Sequence, residues 1–398
     1  MKMTAKNCSR MWMAIAVAAL AGRIVLIYTY PYASGDYIYF LRHWIEHLVK
    51  NGYEHGWPDG PWNYNMPYIY LLTGLAHLTT HWLSGIKMMS VAFDVLMAAG
   101  AWRVVNAGTP GKENRPHCWM AAAVMLLLPT FFTNSALWGQ CDSIYAGLML
   151  LCVSGIMRGR PVRAMLLFGL ALAFKLQSVF VIPALLMLTF KRRIPLWTWV
   201  LVPAVYLACA MPAIAMGRGF MQSLTPHYSI AVVNGIPAYP WVPNIRHAMH
   251  SGFLSPEVLK IVMAVCSLVS IIVATVWARY TDSMRLQGWG IPLAMFVSAA
   301  VVPFFLPGMH ERYFALAIAL GVVLFAARPR QWWLCLAPEV LSIPSYVYYL
   351  AALNRFPVME YNLWINYGIS LCYLIFLVWL LRIYLKYNAQ PDKKPCDT

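Results

Sequence analysis

The sequence predicts an all-α, polytopic membrane protein of about 11–13 helices, each run matched to the ~20 apolar residues a crossing needs. Composition and patterning carry that expectation. Of 398 residues, 61% are hydrophobic and only 11% charged, against about 25% charged in an ordinary globular domain. Apolar runs recur along the whole length and are continuous rather than alternating, which excludes a membrane β-barrel. The net charge of +16 gathers in short clusters between the runs, at Arg103–Arg115, Arg158–Arg163, Lys191–Arg193 and Arg328–Arg330. That is the positive-inside pattern of cytoplasmic loops, and it implies no nucleic-acid partner. Nine scattered cysteines without a C-x-x-C indicate neither a disulfide frame nor a thiolate metal site.

In chain order, Met11–Tyr30 is the first span; Arg23 interrupts it and no clean cleavage site follows, so it is expected to be retained. Tyr37–Lys50 reads as an amphipathic helix with Tyr37, Leu41, Trp44, Ile45 and Leu48 on one face, suited to the membrane interface. It lies in a first outer loop, 31–65, rich in Gly, Pro and Trp. Helices are expected at about 66–83 and 86–105. The charge rule puts Arg103–Arg115 inside, so one of the two is short or re-entrant. Spans follow at 117–133 and 143–157. Two short halves, 162–174 and 178–190, then hinge at Lys175-Leu-Gln177. Further spans are expected at 195–215, 257–278, 288–306, 312–327, 332–353 and 362–383. No tandem repeat is visible. The expected organisation is a transmembrane module over 1–330, additional helices over 331–383 and a cytoplasmic tail over 384–398.

The polar residues on the side opposite the basic clusters are the candidate site: Asp36, Trp138-Gly-Gln-Cys-Asp142, Lys175 and Gln177, Asn244 and Arg246, and His310-Glu311-Arg312. Ionisable groups at membrane depth are costly, and several on one face point to function. Each also has a plainer reading. Asp36 and Asp142 are both placed to cap the helices after them. Lys175 is able to snorkel to the interface, and Glu311 to pair with Arg312 at a helix start.

The order of Asp36, Tyr64 and Pro67, W-G-Q-x-D at Trp138–Asp142, Lys175-x-Gln177 and H-E-R-Y at His310–Tyr313 resembles the GT-C superfamily of membrane glycosyltransferases. The likeness spans roughly 11–330 and is nearest the mannosyltransferases that add the second mannose to glycosylphosphatidylinositol, and their bacterial relatives. Asn65-Met66-Pro67 and Lys175-Leu176-Gln177 stand where those relatives tend to have Tyr-Pro-Pro and Lys-Pro-Gln. The resemblance implies transfer of a hexose, mannose in that branch, from a polyprenyl-phosphate donor to an extracytoplasmic glycan or glycolipid acceptor, with inversion. It makes Asp36 the general base. Lys175, His310, Arg312 and Arg246 are then the donors to phosphate, and Tyr64, Trp138, Gln140, Asp142, Gln177 and Glu311 the residues around sugar or acceptor. No cofactor follows with certainty. A divalent metal stays open, because the first loop lacks a second acidic residue two positions from Asp36. Compact loops suit a bacterial inner membrane with the site facing the periplasm, and an endoplasmic reticulum membrane is the other setting that fits. The rival from another class is a transporter or flippase of a lipid-linked or anionic solute, which paired broken helices and inverted repeats would favour. A membrane acyltransferase with a His base is a further alternative, but His310 has no evident Asn partner in the sequence.

Overall fold

The computed structural model of the chain describes residues 4–111, 115–226, 242–244, 256–282, 286, 288–306, 308–353 and 363–389. Every regular element among them is a helix. Among the described residues four stretches are long and apolar enough to cross a membrane: Ala5–Thr29, Trp82–Gly108, Leu196–Ala215 and Trp364–Tyr387. The chain is thus an all-α protein with several membrane-length helices.

The first, α1 (Ala5–Thr29), starts on Thr4, whose hydroxyl accepts from the Asn7 amide. A single π-helical turn, Tyr37–Leu41, then leads into α2 (Arg42–Asp59), which kinks at Gly52, where φ is +66°. The face expected to be apolar is the buried one, with Leu41, Trp44, Ile45 and Leu48 at 5% exposure or less. These side chains belong to the same core as Trp62, Met66 and Ile69. On the opposite face Arg42 donates to Glu46 at 2.8 Å, and that hydrogen bond holds Glu46 below the usual carboxylate range. The two helices expected next are unequal. α3 (Met66–Leu78) has 13 residues and α4 (Trp82–Gly108) has 27. At 1.5 Å per residue α3 is about 20 Å long, short of a ~30 Å hydrocarbon core.

α5 (Arg115–Leu127) and α6 (Pro129–Phe132) are one broken helix bent by 58° as it continues to Trp138. Leu128 is extended at the break (ψ 130°), as a residue preceding proline tends to be. A second π-turn, Thr133–Trp138, carries the chain on to α7 (Asp142–Met157). α7 is apolar nearly all round and buried on nearly every side, the position such a helix must take. Its approach to α4 depends on two glycines. A Cβ on Gly147 would lie 3.0 Å from the Met97 backbone nitrogen, and one on Gly100 would lie 3.0 Å from the Gly147 carbonyl oxygen. Small residues at helix crossings let backbones meet in this way.

α8 (Pro161–Phe174) and α9 (Ile182–Phe190) are the two halves expected on either side of Lys175. Lys175 itself is extended (φ −152°, ψ 127°), and a 3-10 turn, Leu176–Val181, joins it to α9. The remaining helices are α10 (Leu201–Ala215), α11 (Phe220–Leu224), α12 (Pro256–Tyr280), α13 (Gly290–Phe305), α14 (Ala315–Ala327), α15 (Trp333–Leu353) and α16 (Leu363–Ala389). α14 is preceded by a 3-10 turn over Glu311–Phe314.

Candidate active site

Two breaks in the helical pattern and one loop meet at a pair of carboxylates. The first is Asp36. It has helical backbone angles and makes no capping bond, so the cap reading fails for this residue. Ser34 does that work instead. Its hydroxyl accepts from the Tyr37 amide at 3.2 Å and donates to the Trp138 carbonyl at 3.0 Å. The serine thereby fastens the first loop to the segment that holds Asp36 in place.

That segment is Trp138–Asp142. Gly139 turns it sharply, with φ +74° and ψ 32°, in the left-handed region that favours glycine. A Cβ there would also press on Ile86 at 3.3 Å. The turn brings the indole Nε1 of Trp138 to 2.9 Å from Asp36 Oδ2 and sets Gln140 Nε2 on the same oxygen. From the 3-10 turn before α14, Arg312 donates to that oxygen as well, at 3.3 Å. All three donors converge on Oδ2. Oδ1 accepts from none of the described side chains.

Asp142 is the second carboxylate. It is the first residue of α7, where the helix dipole favours a negative charge, but Cys141 occupies the cap and no side-chain cap bond forms. Its oxygens go to Lys175 Nζ at 2.6 Å and Asn134 Nδ2 at 3.0 Å, with Arg312 Nε 3.9 Å away. The Asp142 side chain is fully buried, whereas that of Asp36 is 20% exposed. Two acidic groups therefore sit in one network in different settings, one enclosed in an ion pair and one reachable from outside. Arg312 lies between them.

Aromatic rings complete the walls. Tyr64 donates to Gln140 Oε1 at 3.3 Å, and Lys175 lies 5.7 Å from the centre of its ring. Burial pushes the Tyr64 phenol well above its usual range, so it stays a neutral donor. Arg312 lies 5.3 Å over Trp138, whose other neighbours are Tyr349, stacked at 4.0 Å, and Tyr346, edge-on at 5.7 Å.

Of the residues expected from the sequence, Asp36, Tyr64, Trp138, Gln140, Asp142, Lys175 and Arg312 come together in this network. Gln177 is buried two residues from Lys175, and among the described residues its Oε1 meets no donor. His310 begins the Arg312 turn, and its ring packs 5.1 Å from that of Tyr313. Arg246 and the Glu311 side chain lie outside the described residues, while Asn244 donates to the Pro303 and Leu306 carbonyls at the end of α13. Ser34, Asn134, Tyr346 and Tyr349 were not expected. Asn134 and Ser34 flank quoted motifs, so proximity in sequence was the available signal. The two tyrosines lie in one helix, α15, expected to be an addition outside the module, and nothing local marks them. Among the described residues no cluster of three or more His, Cys, Asp and Glu side chains is spaced to hold a metal ion. Both carboxylates already face cationic side chains, a donor set that does not fit a divalent metal. No protein-family model matches the chain, and no curated protein sequence matches it either.

Proposed function

We propose that this protein is a polytopic membrane glycosyltransferase that moves a hexose, mannose by resemblance, from a polyprenyl-phosphate donor to a hydroxyl of an extracytoplasmic acceptor. One observation carries the reading. Asp36 has one oxygen fixed by three donors from two distant segments, and its other oxygen accepts from no described residue. A general base needs that combination of fixed orientation and an open site for the proton.

In the proposed step the acceptor oxygen attacks the anomeric carbon while its proton passes to Asp36 Oδ1. The bond from that carbon to the phosphate oxygen breaks, the electron pair leaves with the phosphate, and the anomeric centre inverts. Cations near the departing phosphate stabilise the charge that develops there. Arg312 and Lys175 are the described residues suited to it, and a guanidinium is able to grip phosphate in a bidentate manner. Asp142 holds Lys175 in place for that role.

A groove of about 680 Å³ between α9, α12, α13 and α16 supports a lipid-linked donor. Trp277, Val301, Phe305 and Leu306 are among its mostly apolar walls, and Leu306 is four residues before His310. Arg158–Arg163 and Lys191–Arg193 flank the ends of α8 and α9 away from Lys175, and under the positive-inside rule this supports an extracytoplasmic Asp36. The interfacial placement of α2 and a bacterial inner membrane belong to the same proposal.

The observation that favours transport instead is the second broken helix, at Leu128–Pro129, in addition to the break at Lys175. Both breaks fall in the first half of the chain, and inverted repeats are not evident in the sequence, so the described residues do not show the pairing across two halves that transporters have. One experiment separates the readings. Purified protein in sealed, oriented vesicles is given a panel of radiolabelled prenyl-phosphate sugars with acceptor glycolipid. Transfer predicts label joined to acceptor only on the face opposite Arg158–Arg163. Label that crosses the bilayer still attached to prenyl phosphate, with none on acceptor, would show a transporter.

A further inference from the structure

A second charge pair lies in the helical core, apart from the carboxylates of the site. Arg23 of α1 donates through Nε to Asp94 Oδ2 of α4 at 2.9 Å, and both side chains are fully buried. The same Nε lies 3.4 Å from Ser135 Oγ. NH1 donates to the Ala19 carbonyl at 3.1 Å, and the guanidinium packs 4.7 Å from the centre of the Phe132 ring. On the other side of the pair, Asp94 Oδ1 accepts from Ser143 Oγ.

The two serines are informative because of where they stand. Ser135 is in the π-turn just before Trp138, and Ser143 directly follows Asp142. The segment between them contains Trp138 and Gln140, which hold Asp36, and ends on Asp142, which holds Lys175. We propose that the Arg23–Asp94 pair is a positioning unit of the active site: it grips segment 136–142 at both ends, through Ser135 and Ser143, and so sets the orientation of Asp36. Neither Arg23 nor Asp94 touches the reacting groups. Apolar residues of similar volume would fill the same space without the penalty of burying two charges. What they would not supply is a directional contact to each end of the segment. The effect on catalysis rests on the reading of Asp36 as the base, whereas the grip itself does not.

Replacing Arg23 or Asp94 alone would strand a buried charge and risk the fold, so the serines are the better test. The S135A/S143A double variant leaves the 2.9 Å ion pair intact and removes its contacts to both ends of the segment, together with the bond from the Ser135 hydroxyl to the Phe131 carbonyl at 3.0 Å, which the threonine variant below retains. In full-length protein in lipid nanodiscs, hydrogen exchange is followed at the Gly139 and Gln140 amides, which donate to the Ser135 and Asn134 carbonyls. The expected result is exchange roughly tenfold faster there, the factor that loss of two side-chain hydrogen bonds brings to a local opening. α1, α4 and the body of α7 should exchange as in the parent. In the transfer assay kcat should fall while the KM for donor stays nearly constant, and the S135T/S143T variant, which keeps both hydroxyls, should recover the rate. Unchanged exchange at Gly139 and Gln140 would overturn the proposal, as would an equal rise through all three helices. Faster exchange confined to 136–142, in a protein whose parent transfers no sugar, upholds the grip and sinks the transfer reading instead.

Discussion

Asp142 and Lys175 lie 2.6 Å apart with side chains 0% and 4% exposed, and neither has water to fall back on. Such a pair contributes little net stability, but removing one member strands the other, at about 3–5 kcal/mol. We therefore expect Lys175→Met to destabilise the protein by about that amount and Asp142→Asn in the same chain to restore much of it, since the two substitutions are coupled. Thermal unfolding of the two single variants and the double variant checks this, and strictly additive losses would show that the pair is not a unit. The sequence made Lys175 legible as a charge at a hinge. It left Asp142 open between cap and ligand, because a first-turn aspartate looks the same in either role. Its partner is 33 residues away, and no spacing rule reaches that far. Arg23 reads in the sequence only as an interruption of the first apolar run, and its complement Asp94 passes unmarked. Both are ionisable groups in apolar runs, the one signal by which the pair was open to notice.

Among the elements, the broken helix α5–α6 shows what sequence conceals. Pro129 is visible, but the partner of the backbone group freed at the break is not. Glu339 of α15 supplies it. One carboxylate oxygen accepts from the Thr130 amide at 2.9 Å and the other from the Thr130 hydroxyl at 2.5 Å. In a membrane such a group must be satisfied from within the protein. Glu339→Ala should lower stability by roughly 1–3 kcal/mol, the cost of an orphaned buried donor, and Glu339→Gln by less, since its carbonyl still accepts. Equal thermal unfolding of the parent and Glu339→Ala would remove the capping role. α15 also places Tyr346 and Tyr349 on Trp138, so this helix, although it lies after residue 330, forms part of the site's walls. Hydropathy revealed that α15 exists and roughly where it runs. Which helices it touches depends on packing that no local pattern encodes. The π-turns at Tyr37–Leu41 and Thr133–Trp138 were equally hidden, since one extra residue in a turn leaves the apolar pattern nearly unchanged.

Across the whole molecule, membrane class and most helix positions were legible because a bilayer demands long apolar runs and sorts basic residues by side. The site was legible as a set of polar exceptions in an apolar chain, and the structure brings seven of them together, two of which are carboxylates that differ in exposure. The exposed one has its second oxygen open, and the proposed chemistry depends on it. The most direct test is Asp36→Asn in reconstituted vesicles, because asparagine can keep the contacts of Trp138 and Gln140 through its carbonyl while losing the ability to take a proton. The account predicts transfer reduced by about a hundredfold or more, the scale of general-base catalysis, with donor binding and thermal unfolding nearly unchanged. Transfer by Asp36→Asn at the parent rate would contradict it.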